Sequence, residues 1–265
     1  MPAASRIIPM PGVKNFRDMG GYIGADGRTM RWGKLYRSGH WAEFTGNRET
    51  AAPAYGITTV VDFRSDAEKK RHPVGWPDGW APTYHATPIG GNAAAWVQEL
   101  YERLSTSPFP AKELRDQFIL AFETIPVANA DGLKRFFDIL VEGETNDSVL
   151  FHCTAGKDRT GIAGALLMRV LGVAEADITA DFLMTNDAVD LPAASAVIAQ
   201  RLSEKAGRTI NPADVHPLVG VEPAFLDAAH KSIDKAFGSV DAYLVDRLGL
   251  TPDRQGRLRD LFLEG

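Results

Sequence analysis

Apolar and polar residues follow two rhythms along this chain, and the rhythm changes part-way. In the first part, short apolar runs sit between glycine, proline and tryptophan. Residues 58–63, TTVVDF, are β-branched and apolar and predict a buried strand. Residues 34–38, KLYRS, predict a short strand, and residues 84–89, YHATPI, a weaker one. Residues 15–22, NFRDMGGY, end in Gly20-Gly21 and read as a turn between two short strands. Residues 65–71 carry mixed charge and predict a short helix.

The middle of the chain turns helical. Residues 93–104 and 111–124 carry apolar side chains at three- and four-residue steps. Residues 132–141 set Leu133, Phe136, Phe137 and Leu140 on one stripe that should pack on a sheet. Residues 148–152, SVLFH, predict the next buried strand. Residues 161–171, GIAGALLMRVL, are apolar all round and predict a buried helix. Further helices are expected at 177–189, 193–205, 223–237, 240–247 and 252–263, the last opened by Thr251-Pro252. Strands alternating with helices predict an α/β fold with a central, mostly parallel sheet flanked by helices. The expected organisation is a single domain over 1–265 with a helical C-terminal part at 177–265. Residues 93–124 are a candidate helical cover over a site, with ordinary core packing as the alternative.

Composition narrows the function. The 265 residues suffice for a sizeable core, and 45% hydrophobic with 24% charged is ordinary for a globular chain. A net charge of −5 gives no support for nucleic-acid binding, although a local basic pocket is compatible with it. The single cysteine, Cys153, excludes an intrachain disulfide framework and any cysteine-rich metal site. No apolar run reaches the roughly 20 residues that span a bilayer, so no stable membrane insertion is expected. The N-terminus, MPAASRIIPMPGVKNF, lacks the apolar core of a secretory signal. A cytoplasmic location is expected; export by a route without such a signal would escape this test.

The lone thiol opens the loop C-T-A-G-K-D-R, between a predicted strand and a predicted helix. That junction turns backbone N–H groups inward and aims a helix N-terminus at the same point, which makes an anion cradle. Thr154, Ala155, Gly156, Lys157, Asp158 and Arg159 form its wall, and Gly156 permits a tight path. Arg159 offers a planar fork for two phosphate oxygens. The same field favours a Cys153 thiolate, a nucleophile suited to phosphorus. Thr160 is placed to donate to the sulfur as it leaves. His152 is expected to orient the loop rather than act as base. Taken singly, a lone cysteine is usually a small buried hydrophobe and a Lys-Asp-Arg triplet a solvated surface. Their order at a strand-to-helix junction is what carries the chemistry. A nucleotide-binding P-loop fails here, because Phe151 and Asp158 stand where Gly and Ser/Thr are needed. The nucleophile elbow G-x-S-x-G is absent.

HCTAGKDRTG resembles the signature loop of cysteine-dependent phosphatases, H-C-x5-R-[ST]. NFRDMGGY, KLYRSG (34–39), VVDFRS (60–65), DFLMTND (181–187) and FGSVDAYL (237–244) are similar to segments of the bacterial tyrosine/serine phosphatase family. The resemblance spans nearly the whole chain. It implies a parallel sheet flanked by helices, phosphotyrosine hydrolysis through a phosphocysteine, and no cofactor or metal. Phosphoserine, phosphothreonine or phosphoinositide activity is compatible with it, and a phosphoinositide phosphatase is the alternative enzyme reading.

A general acid is also needed. Trp76-Pro77-Asp78 spells the acid-loop motif of animal-type tyrosine phosphatases. It lies about 75 residues before Cys153, upstream of that loop's usual place, and PDG is an ordinary turn signal. Asp62 ends a predicted strand and matches the aspartate of the family's DLR-type segment. Its alternative is a structural partner for Arg37 or Arg64. Asp158 sits inside the loop, and K-D-R loops of the family imply a catalytic role for it. Its alternative is orienting Lys157 or Arg159. Asp158 is ranked first and Asp62 second. Asn15, Arg17 and Asp18 either brace the site or form a plain turn. Lys157, a second cation in the loop, resembles the pattern of phosphatases that act on phosphoinositides. The expected partner is therefore a phosphorylated protein or a phosphoinositide. The competing reading from another class is an inactive phosphate-binding module, for which a thiolate would have no use.

Overall fold

A computed structural model of the chain describes residues 5–46, 55–77, 79–90, 99–100, 102–103 and 111–265. Its centre is a five-stranded sheet. In chain order the strands are β1 (Arg17–Asp18), β3 (Leu35–Ser38), β4 (Thr59–Asp62), β5 (Thr83–Ala86) and β6 (Val149–His152). A separate pair joins β2 (Thr29–Met30) antiparallel to β7 (Leu263–Glu264), so the C-terminus returns to the N-terminal part. The sheet runs β1-β3-β6-β4-β5; β3, β6, β4 and β5 are parallel, and β1 is antiparallel to β3. The strands alternate as a doubly covered sheet requires. Tyr36, Val60 and Leu150 pack on one face with Trp41, while Leu35, Val61 and Phe151 pack on the other with the helical core.

The helices are α1 (Asp66–Arg71), α2 (Ala111–Ala128), α3 (Ala130–Glu142), α4 (Asp158–Val170), α5 (Glu175–Leu183), α6 (Thr185–Ala188), α7 (Leu191–Ala206), α8 (His216–Val219), α9 (Pro223–Phe237), α10 (Val240–Ala242) and α11 (Pro252–Phe262). The stripe read in the sequence holds: Leu133, Phe136, Phe137 and Leu140 of α3 are all buried. Helix α4 is buried along almost its whole length, as its all-apolar sequence demands. Segment 240–247 is a short helix followed by a π-helical turn over Tyr243–Arg247.

Of the candidate cover, residues 111–124 lie in α2. Leu114, Phe118 and Phe122 of this helix are buried, and Phe118 and Phe122 stack on Phe225 of α9. That half packs as core. Residues 93–98, 101 and 104 lie outside the described residues. Among the described residues, no helix is long and apolar enough to cross a membrane.

Parallel register puts the ends of three strands together. Ser38 lies opposite His152, and His152 opposite Asp62. The connections after β3, β4 and β6 therefore leave from one edge of the sheet, where ligands bind in open α/β sheets.

Candidate active site

Cys153 is the first residue past β6 and is buried, with 2% of its surface exposed. The loop then turns into α4. Gly156 takes φ +68, and a Cβ there would lie 2.3 Å from the Ser38 carbonyl carbon, so only glycine fits beside β3. Helix α4 starts without a side-chain cap, which leaves its first amides available to an anion.

Arg159 sits in the first turn of α4, and its fork meets a residue the sequence reading did not single out. Nη2 donates to Glu68 Oε1 at 2.6 Å and Nη1 to Glu68 Oε2 at 2.9 Å. Thr154 Oγ1 donates to the same carboxylate at 2.5 Å. Burial alone would raise the Glu68 carboxyl; the Arg159 fork outweighs it and holds the group at about 2. Burial likewise opposes the Arg159 charge, and the Glu68 hydrogen bonds overcome it. Glu68 is itself fixed by a capping box, since its side chain accepts from Ser65 N at 2.9 Å and its amide bonds Ser65 Oγ. The S-x-x-E signal was legible. Its partner was not, because Arg159 lies 91 residues away.

The two leading aspartates differ sharply. Asp62 is wholly buried and saturated. It accepts from Arg64 N at 2.9 Å, from Arg64 Nε at 3.0 Å and Nη2 at 2.8 Å, and from the Tyr84 hydroxyl at 2.7 Å. Burial pushes its carboxyl up, but His152 and the Arg64 fork hold it below the usual range. Burial pushes the His152 imidazole down, against the opposing pull of Asp62. Asp158, in contrast, is partly exposed and lies 3.4 Å from Lys157 Nζ. Its Oδ1 has no hydrogen-bond partner among the described residues. Of Trp76-Pro77-Asp78, Trp76 packs on Trp80 with ring centroids 4.7 Å apart, and Asp78 lies outside the described residues.

His152 is buried, and its Nδ1–H donates to the Cys153 carbonyl at 3.1 Å. The Thr160 hydroxyl is buried and has no hydrogen-bond partner among the described residues, so the expected bond to the sulfur is not made in this structure. Lys157 departs from expectation. Its ammonium donates to Pro217 O at 2.8 Å and Leu218 O at 3.2 Å and lies 4.3 Å from the centre of the Phe118 ring. It ties the loop to α8 and α2 instead of facing the cradle. Sequence could not show this, because the carbonyls that capture it come from a remote turn.

Behind the loop stands a second set of residues. Asn15, Arg17, Arg37 and Asp181 are all buried, and Asn15 Nδ2 and Arg37 Nη2 both donate to the Gly156 carbonyl, at 2.7 and 3.1 Å. Asp18 accepts from the amides of Gly20 and Gly33 and so holds the turn below. The bracing reading of 15–18 is the one realised.

Among the described residues, His40, Glu43 and His72 bring one potential metal ligand each within 4.8 Å of one another. Their arrangement does not suit an ion. The two imidazoles stack with planes 22° apart, so their in-plane lone pairs do not converge, and His40 Nδ1 accepts the Ala42 amide.

A strand-end thiol, an uncapped helix N-terminus and an arginine fork braced by a carboxylate thus lie along one loop and the first turn of α4. Residues 8–264 match the model of the tyrosine phosphatase family. The chain belongs to the tyrosine phosphatase family. It is an enzyme of the protein-tyrosine phosphatase type, a phosphoric monoester hydrolase. A Cupriavidus necator protein named provisionally as a tyrosine-protein phosphatase is 38% identical over 89% of this chain and 82% of its own. The triple specificity protein phosphatase PtpB of Mycobacterium tuberculosis is 30% identical over 96% of this chain and 98% of its own.

Proposed function

We propose that this phosphatase hydrolyses phosphotyrosine in proteins, with phosphoserine and phosphothreonine as further substrates, through a phosphocysteine at Cys153. The observation that carries the reading is the Cys153 thiol set under the uncapped start of α4, with Arg159 held in the same turn by Glu68. The Cys153 sulfur attacks phosphorus as the ester P–O bond breaks. Arg159 and the loop amides hold the equatorial oxygens, where charge spreads in the transition state. Asp158 gives its proton to the leaving oxygen. It then takes a proton from the water that attacks the phosphocysteine, and the sulfur leaves as thiolate. The unpartnered Thr160 hydroxyl turns to donate to that sulfur. Asp158 is preferred to Asp62 because its side chain is partly exposed and its Oδ1 accepts no hydrogen bond among the described residues, whereas Asp62 is buried and its oxygens are taken by Arg64 and Tyr84. A general acid must be free to release a proton at the site.

The triple-specificity name of the mycobacterial relative supports breadth in substrate. A phosphoinositide head group would gain from Lys157 only if that side chain left Pro217, Leu218 and Phe118. Monophosphate esters are therefore placed first. The test is hydrolysis of para-nitrophenyl phosphate and a phosphotyrosine peptide in chelator. Cys153→Ser should abolish both. Asp158→Asn should lose more on the peptide, whose poorer leaving group needs the proton, than on para-nitrophenyl phosphate. Turnover unchanged by Cys153→Ser would refute the reading.

A further inference from the structure

Residues 15–22, 34–39 and 181–187 contribute side chains that the reaction steps do not use. In the fold they converge on one carbonyl oxygen. Asn15 Nδ2 and Arg37 Nη2 both donate to Gly156 O. Asp181 stands behind the pair: its Oδ2 takes Arg37 Nη1 at 2.8 Å, and its backbone carbonyl takes Arg17 Nη2 at 2.9 Å. Arg17 Nη1 donates in turn to Asn15 Oδ1. That bond fixes which way the Asn15 amide faces, with its NH2 toward Gly156. Two arms thus run from Asp181, one through Arg37 and one through Arg17 and Asn15, and both end on Gly156 O.

The grip matters because of what shares the peptide plane. Gly156 O and Lys157 N–H belong to one peptide, and no cis peptide occurs among the described residues. In a trans peptide the C=O and N–H point opposite ways. Holding Gly156 O against Arg37 and Asn15 turns the Lys157 N–H to the other side of the loop, where the phosphoryl group binds. Gly156, at φ +68, has no side chain to bias the orientation of the following peptide, so these hydrogen bonds help to set that plane. The two guanidiniums against one carboxylate also leave one net positive charge behind the loop. Burial and the nearby Arg17 lower Arg37 to about 10, which still leaves it charged at neutral pH.

We propose that Asn15, Arg17, Arg37 and Asp181 are positioning residues that aim the Gly156–Lys157 peptide so that its N–H donates to the phosphoryl oxygens in the transition state. The inference rests on the phosphatase reading above. Asn15→Asp is the sharpest test. It keeps the shape and the acceptor for Arg17, and Asp tolerates the left-handed backbone that Asn15 adopts at φ 56. The donor to Gly156 O is lost, together with its longer bond to Thr185 Oγ1 at 3.3 Å, and a carboxylate repels that carbonyl and offsets the charge behind the loop. Turnover of a phosphotyrosine peptide should fall about 100-fold in kcat, the cost of losing one preorganised donor, with KM changed less than about threefold. Inhibition by orthovanadate, which takes the five-coordinate geometry, should weaken about as much as kcat. Inhibition by inorganic phosphate should weaken far less. Asp181→Asn, which loosens both arms but removes neither donor, should cost about tenfold. Thermal unfolding reports the folded fraction. If Asn15→Asp does not fold, Asn15→Gly keeps the backbone conformation, deletes the donor and should show the same kcat-selective loss. Wild-type kcat in a folded variant, or equal weakening of vanadate and phosphate inhibition, would overturn the proposal. Failure of the phosphatase reading would look different: the wild type itself would show no Cys153-dependent turnover.

Discussion

The front and the back of the signature loop are built differently. At the front, Arg159 and Thr154 both donate to the Glu68 carboxylate. Their partner comes from one short helix, α1, whose start is fixed by its own capping box. At the back, Asn15, Arg17, Arg37 and Asp181 come from three distant segments and are sealed from solvent. In the proposed reaction the front supplies the charge that meets the phosphoryl group. The back touches only the reverse side of a peptide. Changes at the front should therefore alter binding and rate together, while changes at the back should act on rate alone.

The largest effect removes what both regions serve. Cys153→Ser should lower kcat by about 10⁴-fold or more, as loss of a nucleophile does elsewhere, with the fold intact by thermal unfolding. Glu68→Gln should come next, with kcat/KM down about 100-fold and KM visibly raised, because Glu68 fixes the guanidinium that the proposed mechanism uses in both ground and transition state. A Glu68→Gln defect confined to kcat, matching that of Asn15→Asp, would erase the distinction between front and back.

Glu68 also makes a prediction about acid. Its carboxyl is held at about 2, below the ordinary 4.5, by Arg159 against the pull of burial. A lowered carboxyl contributes stability that is complete above the unfolded value. That contribution is lost as pH falls from about 4.5 through about 2. Its size is at most about 3 kcal/mol. Urea unfolding of the wild type should show this loss over that window, and Glu68→Gln should lack it. Asp62→Asn should act on stability too, by about 3 kcal/mol, since it strands a buried Arg64. Its folded fraction should keep kcat within about threefold; a fall matching that of Asp158→Asn would return Asp62 to the role of general acid. The smallest effect is expected from Lys157→Met, with phosphotyrosine turnover within about threefold of wild type, because the ammonium is spent on Pro217 and Leu218.

How much of this was legible follows from how local each feature is. Strands 59–62 and 149–152 and helices 130–142 and 158–170 carry their burial pattern in their own residues, and the sequence reading placed them. Cys153 and Arg159 sit in one contiguous motif. Glu68 escaped because a capping box looks the same whether or not a distant arginine adds a second bond. Lys157 was misjudged because an N-terminal side chain of a helix follows whatever packs beside it, here Phe118 and the 217–218 carbonyls. The order β3-β6-β4 decided the rest, since it places Arg37 and Asp62 on either side of the strand that bears Cys153.

The central claim is a covalent phosphocysteine at the strand end. The most direct test mixes the wild-type enzyme with a 32P-labelled phosphotyrosine peptide, quenches with acid within milliseconds and maps the label. Label on Cys153 should approach one phosphate per chain, survive the acid quench and be absent from Cys153→Ser. Rapid turnover with no label on Cys153, or label on another residue, would contradict it.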